Sequence, residues 1–294
     1  MRLKPYSGNL AKRALSLSVV VFLLCGCISP IPPTYLKENI DEAIQNICKK
    51  EYNLGTKAKL TGQTLWVYIP LEDIFVKSDK PEKYIEKFEI KGNNVGFQHN
   101  ALRLEYLINT VPEKEQYQNF KYNKAALENM QNAWKALRRV LFSMERLKKG
   151  QPEFIYVVTA DIKNGLEIRE LFYLEDLKKV SYEFISVGEY QHRTIQEVQE
   201  RPEAKGDKEG LYLNYRDIPI EEFIVGQIRH RIKLKFQKPE VDKSADIDKE
   251  IIKLVAHTLK TYGFRDFSEV ELNNLFTRNK TILNKAAIWA RPIE

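Results

Sequence analysis

The chain has 294 residues, with 47 Lys and Arg against 40 Asp and Glu and a formal net charge of +7. Four of those charges sit on Arg2, Lys4, Lys12 and Arg13, in an opening stretch without acids. The remainder is close to balanced, which excludes a bulk basic face for nucleic acid. With 43% hydrophobic and 30% charged residues, the composition is that of a folded body rather than a disordered chain.

The basic start leads into an apolar run from about Ala14 to Leu24, too short for a spanning helix of roughly 20 residues. It closes on Leu24-Cys25-Gly26-Cys27. A basic stretch, a short apolar core and a small residue before the cut describe a secretory signal. The segment resembles a bacterial lipoprotein signal peptide with its lipobox. Leu24 stands three places before Cys27 and Gly26 directly before it. Cys25 occupies a position where the family more often has Ala or Ser. The resemblance covers residues 1–27 only; the mature part resembles no family that can be named from its residues. It implies cleavage after Gly26, lipidation of Cys27 with palmitate-type acyl chains, and anchoring to a membrane of the cell envelope. Several chains on one cysteine hold firmly where one holds only marginally. Ile28, in place of an Asp, points to the outer membrane in a diderm host, and otherwise to the exported face of the cytoplasmic membrane. Cys25 then leaves with the signal and Cys48 is the one ordinary thiol, expected buried and inert on a helix stripe.

The segments expected after the signal (1–26) are a Pro-rich tether (27–34), a first αββ-like region (35–112), a long helix plus hairpin (113–185), a charged loop with strand, helix and strand (186–241), and a C-terminal αββ-like region (242–294). Residues 35–294 can equally form one compact body. Pro30, Pro32 and Pro33 favour an extended tether. A helix follows over about 35–52, capped by Thr34, with Leu36, Ile40, Ile44, Ile47 and Cys48 on one face and Leu54-Gly55 at its end. Thr61-Gly62 offers a turn before the strand-like Leu65 to Ile69. Residues 73–84 are polar and irregular, and residues 88–106 are expected to form a helix-to-strand or hairpin element around Gly92-Asn93-Asn94. Ala101 to Thr110 fits strand and helix patterns equally.

The longest helix is expected over about 117–149, with Leu127, Met130, Trp134, Leu137, Leu141 and Met144 as a core stripe or, alternatively, a coiled-coil seam. Lys163-Asn164-Gly165 predicts a type I′ turn between two strands, with a short helix over 174–182. Glu197 to Gly210 is a charged loop and Leu211 to Tyr215 a strand. Pro219 starts a helix ending near His230, and Ile232, Leu234 and Phe236 alternate as a half-buried strand. A last helix over about 247–262, with Ile251, Leu254, Val255 and Leu259 inward, precedes a hairpin of 270–276 and 281–289 around Arg278-Asn279-Lys280. Helix, strand, turn and strand thus recur three times. The fold class expected is α+β, with helices packed on antiparallel hairpins and three αββ-like units.

Motifs for chemistry are few. His99, His192, His230 and His257 fall in no metal-ligand spacing, and no phosphate loop or nucleophile elbow occurs. The sequence therefore calls for no cofactor and no metal. Glu167, Glu170, Glu175 and Asp176 cluster around the best hairpin. They are candidates for a paired-carboxylate site, with a solvated strand face as the simpler reading. Arg229-His230-Arg231 with Lys233 and Lys235 is a candidate contact for anionic headgroups or glycans, again against a solvated default. Asn279-Lys280-Thr281 matches a glycosylation triplet that carries no meaning in a bacterial lipoprotein. Trp66, Tyr68, Trp134 and Trp289 fit either a sugar or peptide groove or a core. The favoured reading is a lipid-anchored envelope protein with a non-catalytic binding or structural role, another envelope protein being a candidate partner. The alternatives are an envelope hydrolase acting on glycan or peptidoglycan, and a small-ligand carrier.

Overall fold

The structure, a computed structural model, describes residues 35, 37–144, 151–237 and 241–291. The signal segment, Cys27, the tether with Thr34, Leu36 and the last expected residues of the long helix, 145–149, lie outside the described residues. α1 (Ile40–Tyr52) buries Ile40, Ile44, Ile47 and Cys48, and stops where Asn53 turns left-handed at φ 50°. Asn tolerates that conformation better than most residues. β1 (Lys57–Thr61) and β2 (Thr64–Leu71) form the first hairpin.

β3 (Phe75–Gln98) and β4 (Ala101–Tyr122) follow as one long antiparallel ribbon. The polar stretch 73–84 is therefore largely strand. The hairpin turns at His99-Asn100, not at Gly92. Both turn residues take positive φ, 49° and 62°, the geometry of a two-residue type I′ loop. The ladder is irregular between Lys77 and Glu82, between Glu86 and Phe88 and between Ile90 and Gly92. Pro81 lies in the first break, and Pro112 lies opposite the second. Proline cannot donate to a ladder and is tolerated at such bulges. The boundary expected at 112/113 falls inside β4.

α2 (Lys124–Ser143) starts later than expected because β4 runs on to Tyr122; the Asn123 side chain accepts from Ala125 N and caps it. Its buried face is Ala126, Met130, Ala133, Ala136, Leu137, Val140 and Leu141, while Leu127 is 38% exposed. Trp134 is half-buried, its ring 4.9 Å from that of Phe172. β5 (Phe154–Asp161) and β6 (Leu166–Tyr173) form the expected hairpin. In its turn only Gly165 has positive φ (74°), so the type I′ expectation fails there. The Asp161 carboxylate instead accepts from Lys163 N (3.2 Å) and Asn164 N (3.0 Å), which folds the turn over itself.

α3 (Leu174–Ser181) and α4 (Val187–Arg193) lead to β7 (Ile195–Glu200), a strand where a loop was expected. Residues 211–215 are irregular rather than strand. α5 (Ile220–Gln237) continues through Ile232 and Phe236. Ile224, Ile228, Ile232 and Phe236 recur every four residues, and that spacing overrides the local alternation read as a strand. α6 (Ile247–Thr261), β8 (Glu269–Asn274), β9 (Asn279–Asn284) and a short α7 (Lys285–Trp289) complete the chain; the last helix replaces the end of the expected second strand.

The fold is α+β, with two mixed sheets. The first has the order β1-β2-β5-β6-β7, with β2 and β5 parallel; the second has the order β3-β4-β8-β9, with β4 and β8 parallel. On the first sheet, Leu65, Val67, Ile69, Ile155, Val157 and Phe172 face α1 and α2. Trp66, Tyr68, Phe154, Val158 and Leu171 face the other way, beneath residues 201–219 and Phe223 of α5. Burial on both faces explains the unbroken apolar run of β2. The second sheet packs on Ile224, Ile228 and Ile232 of α5 and on Ile251, Val255 and Leu259 of α6. Among the described residues, no helix is long and apolar enough to cross a membrane.

The displaced stripe of α2 gives a direct test. Leu137→Ala should cost about 2–5 kcal/mol through loss of buried volume. Leu127→Ala should stay within about 1 kcal/mol. Urea midpoints of the two variants check this, and equal losses would restore the expected stripe.

Candidate functional site

A concave site lies on the second face of the five-stranded sheet. Its floor is set by strand register. Trp66 on β2 is the direct partner of Tyr156 on β5, and the rings stack with centroids 4.2 Å apart. Arg169 on β6 stands beside them, and the cover is the irregular segment 201–219. That cover is pinned by its own carboxylates. Asp207 gathers the backbone N–H groups of Glu209, Gly210 and Leu211 at 2.6–2.9 Å. Asp217 accepts from Gln63 N and Thr64 Oγ1, each at 2.9 Å. Trp66 Nε1 donates to the Arg216 carbonyl (2.8 Å), and Tyr68 Oη to the Asp207 carbonyl (2.6 Å).

Between floor and cover is a cavity of about 360 Å³, lined among others by Trp66, Tyr156, Arg169, Arg201, Tyr212 and Glu222. Glu167, wholly buried, lies behind it. Its Oε2 accepts from Arg169 Nε at 2.6 Å and lies 4.0 Å from Arg201 Nε. Arg216 grips both oxygens of Glu222. Three buried atoms of this cluster make no well-formed hydrogen bond: Glu167 Oε1, Arg201 Nε and Tyr212 Oη, the last interacting only loosely with Glu167 and Tyr68. Burial raises the Tyr212 phenol well above its usual range, and the nearby Glu167 carboxylate raises it further. Burial likewise pushes Tyr215 up to about 12. Both phenols are neutral at physiological pH.

The four carboxylates singled out in the sequence are not brought together. Glu167 and Glu170 lie three apart on β6 and so point to opposite faces of the sheet. Glu175 pairs with Lys178 (2.7 Å). Asp176 is buried between Arg193 (2.8 Å) and the Tyr262 hydroxyl (2.9 Å), an arrangement that ties α3 to α4 and α6. Glu170 sits on the helix-covered face near Trp134, with Gln196 Nε2 3.4 Å from Oε1.

The basic run is divided by the helix that carries it. Arg229, His230 and Lys233 face a groove of about 830 Å³ between β3, β7 and α5. Arg231 is buried, 3.7 Å from Glu189, and Lys235 pairs with Glu250 at 2.7 Å. Burial lowers His230 to about 4, so it adds no charge at neutral pH. His257 lies on α6, and burial lowers it too. His99 is at the ribbon tip and His192 on α4. Among the described residues, no group of three or more His, Cys, Asp or Glu is placed to hold a metal ion. Cys48 is buried and its thiol is raised by that burial. Trp66 and Tyr68 are buried, and Trp289 lies under the Arg265 guanidinium (4.6 Å). Asn279-Lys280-Thr281 opens β9. Sequence reasoning found Glu167 and Trp66 but not Arg169, Arg201 or Tyr212, because these come from separate segments with no motif between them.

Glu170 makes the body's stability sensitive to pH. Desolvation raises its carboxyl from 4.5 to about 7, and the Trp134 indole opposes the shift only in part. Between those values the folded chain holds a proton that the unfolded chain releases, so this group's contribution is full below about 4.5 and is lost as pH rises through 7. Glu170→Gln should remove that decline. Urea midpoints of both proteins across this range check it. Parallel pH profiles would contradict the assignment.

No protein-family model, curated protein or solved structure matches the chain.

Proposed function

We propose that the chain is a membrane-anchored envelope lipoprotein with a non-catalytic binding role, held by acyl chains on Cys27. The observation that carries this reading is Leu24-Cys25-Gly26-Cys27, placed directly after a basic start and a short apolar run. Pro30, Pro32 and Pro33 then serve as a stiff spacer between lipid and body. Ile28 favours delivery to the outer membrane of a diderm host. The binding part of the reading is supported by a pre-built cavity whose arginines and carboxylates are locked by one another. Glu167 and Glu170 lie on opposite faces of the sheet, so that pair does not support the alternative hydrolase reading, which needs two carboxyls flanking one bond.

Metabolic labelling with an alkyne fatty acid tests the anchor. Cys27→Ser should abolish the label and release the protein from membranes, whereas Cys25→Ser should leave both intact. Label persisting on the Cys27→Ser protein would overturn the assignment.

A further inference from the structure

We propose that the cavity between the Trp66–Tyr156 stack and the 201–219 cover binds an uncharged pyranose unit of a glycan. The proposal rests on the binding role just described and names its ligand class. Three observations carry it. The first is charge balance: Arg169, Arg201 and Arg216 are matched by Glu167, Glu203 and Glu222 in or directly behind the lining. A site with no net charge has no preference for an anion or a cation as a whole.

The second is the mixture of unfilled hydrogen-bonding capacity. Glu167 Oε1 accepts, Arg201 Nε donates, and the neutral Tyr212 hydroxyl does either; none makes a well-formed hydrogen bond, the Tyr212 hydroxyl having only loose interactions with Glu167 and Tyr68. Leaving such atoms buried and unpaired costs about 1–3 kcal/mol each. A ligand that satisfies donors and acceptors alternately must carry groups that do both, and sugar hydroxyls do. The third is the aromatic wall. Tyr156 is half-buried and lines the cavity with its ring braced by Trp66, which suits the apolar C–H face of a pyranose. The volume of about 360 Å³ falls at the small end of ligand sites. The geometry is also held before any ligand arrives: Glu167 fixes Arg169, Gln199 holds Arg201 Nη2 at 2.9 Å, and Glu222 fixes Arg216. Pre-organised donors lose little freedom on binding.

The experiment titrates the full-length protein in detergent micelles with N-acetylglucosamine and glucose as uncharged probes. Glucuronate and inorganic phosphate serve as anionic ones. Binding is followed by tryptophan fluorescence and by saturation-transfer NMR of the sugar. Saturable binding of an uncharged sugar is expected, with glucuronate and phosphate weaker. Arg201→Gln, at a side chain 42% exposed and so compatible with folding, should weaken binding about tenfold or more. Arg201→Lys should not restore it, because a lysine lacks the planar fork. Tyr156→Leu provides a second, independent loss, with thermal melts confirming that each variant is folded. Three results would overturn the proposal: no saturable response to either uncharged sugar, tighter binding of the anions, or unchanged binding in folded Arg201→Gln. Sugar binding accompanied by release of products from a glycan, lost on changing Glu203 or Glu222, would leave the ligand class standing and overturn the non-catalytic role instead.

Discussion

The packing of α5 is the constraint on which the rest of the architecture depends. This one helix buries two adjacent stripes. Ile224, Ile228, Ile232 and Phe236 enter the core of the four-stranded sheet, while Phe223 enters the aromatic cluster on the five-stranded sheet. At roughly 1.5–3 kcal/mol for each large side chain buried, the four-stranded sheet would lose four such side chains from its core without it, and the five-stranded sheet would lose Phe223 from its aromatic cluster. Gly226 marks how close the approach is: a Cβ there would meet the Ile195 side chain of β7. The second buried face of α5, Gln227 and Arg231, is polar. It is answered across the junction by the Arg193 carbonyl and Glu189. A helix with apolar and polar buried stripes side by side has weak amphipathicity, which is why its length was hard to see in the sequence.

Both sheets share one plan. In each, the second strand of one hairpin runs parallel to the first strand of the next, giving β1-β2-β5-β6 and β3-β4-β8-β9. α1 and α2 cover the first set, and α5 and α6 the second. The three αββ units read from the sequence correspond to α1-β1-β2, α2-β5-β6 and α6-β8-β9. The fourth hairpin, β3–β4, has no helix directly before it and draws α5 from later in the chain. The ribbon that makes this possible spans both bodies: Phe75 packs with the first core, and Leu102 and Leu104 with the second.

What was legible in the sequence follows from how local each signal is. α1 from Ile40 onward, α6 and the β5–β6 hairpin were legible because period or turn lies within a dozen residues, although α1 starts five residues later than the expected position 35, after a 3₁₀ turn over Lys37–Asn39. The β3–β4 ribbon was not. Residues 77–87 and 109–121, toward its open end, carry no buried face, as Phe120 at 60% exposure illustrates, so the alternation that marks a strand is absent. Its turn, His99-Asn100, lacks the glycine that usually signals positive φ. The site was legible only in fragments. Trp66 and Glu167 drew attention by type, but their partners are set by a parallel register between β2 and β5 and by a cover some 40 residues downstream. Neither is written in any spacing.

The cavity shows how a buried carboxylate takes on a structural role. Glu167 lies on a strand whose opposite face is core, so it cannot turn to meet Glu170. It is retained in the interior by Arg169, and through it two guanidiniums are drawn to the same wall. Removing either partner from such a pair leaves an uncompensated buried charge, which costs far more than the pair itself contributes. The carboxylate therefore positions the arginines, and the arginines keep the carboxylate in the sheet. An acid so committed is poorly suited to exchanging protons with a substrate, but well suited to presenting a fixed pattern of donors and acceptors beside the stacked rings of Trp66 and Tyr156. Fixed geometry and balanced charge are set on this face of the sheet by side chains that the core itself holds in place.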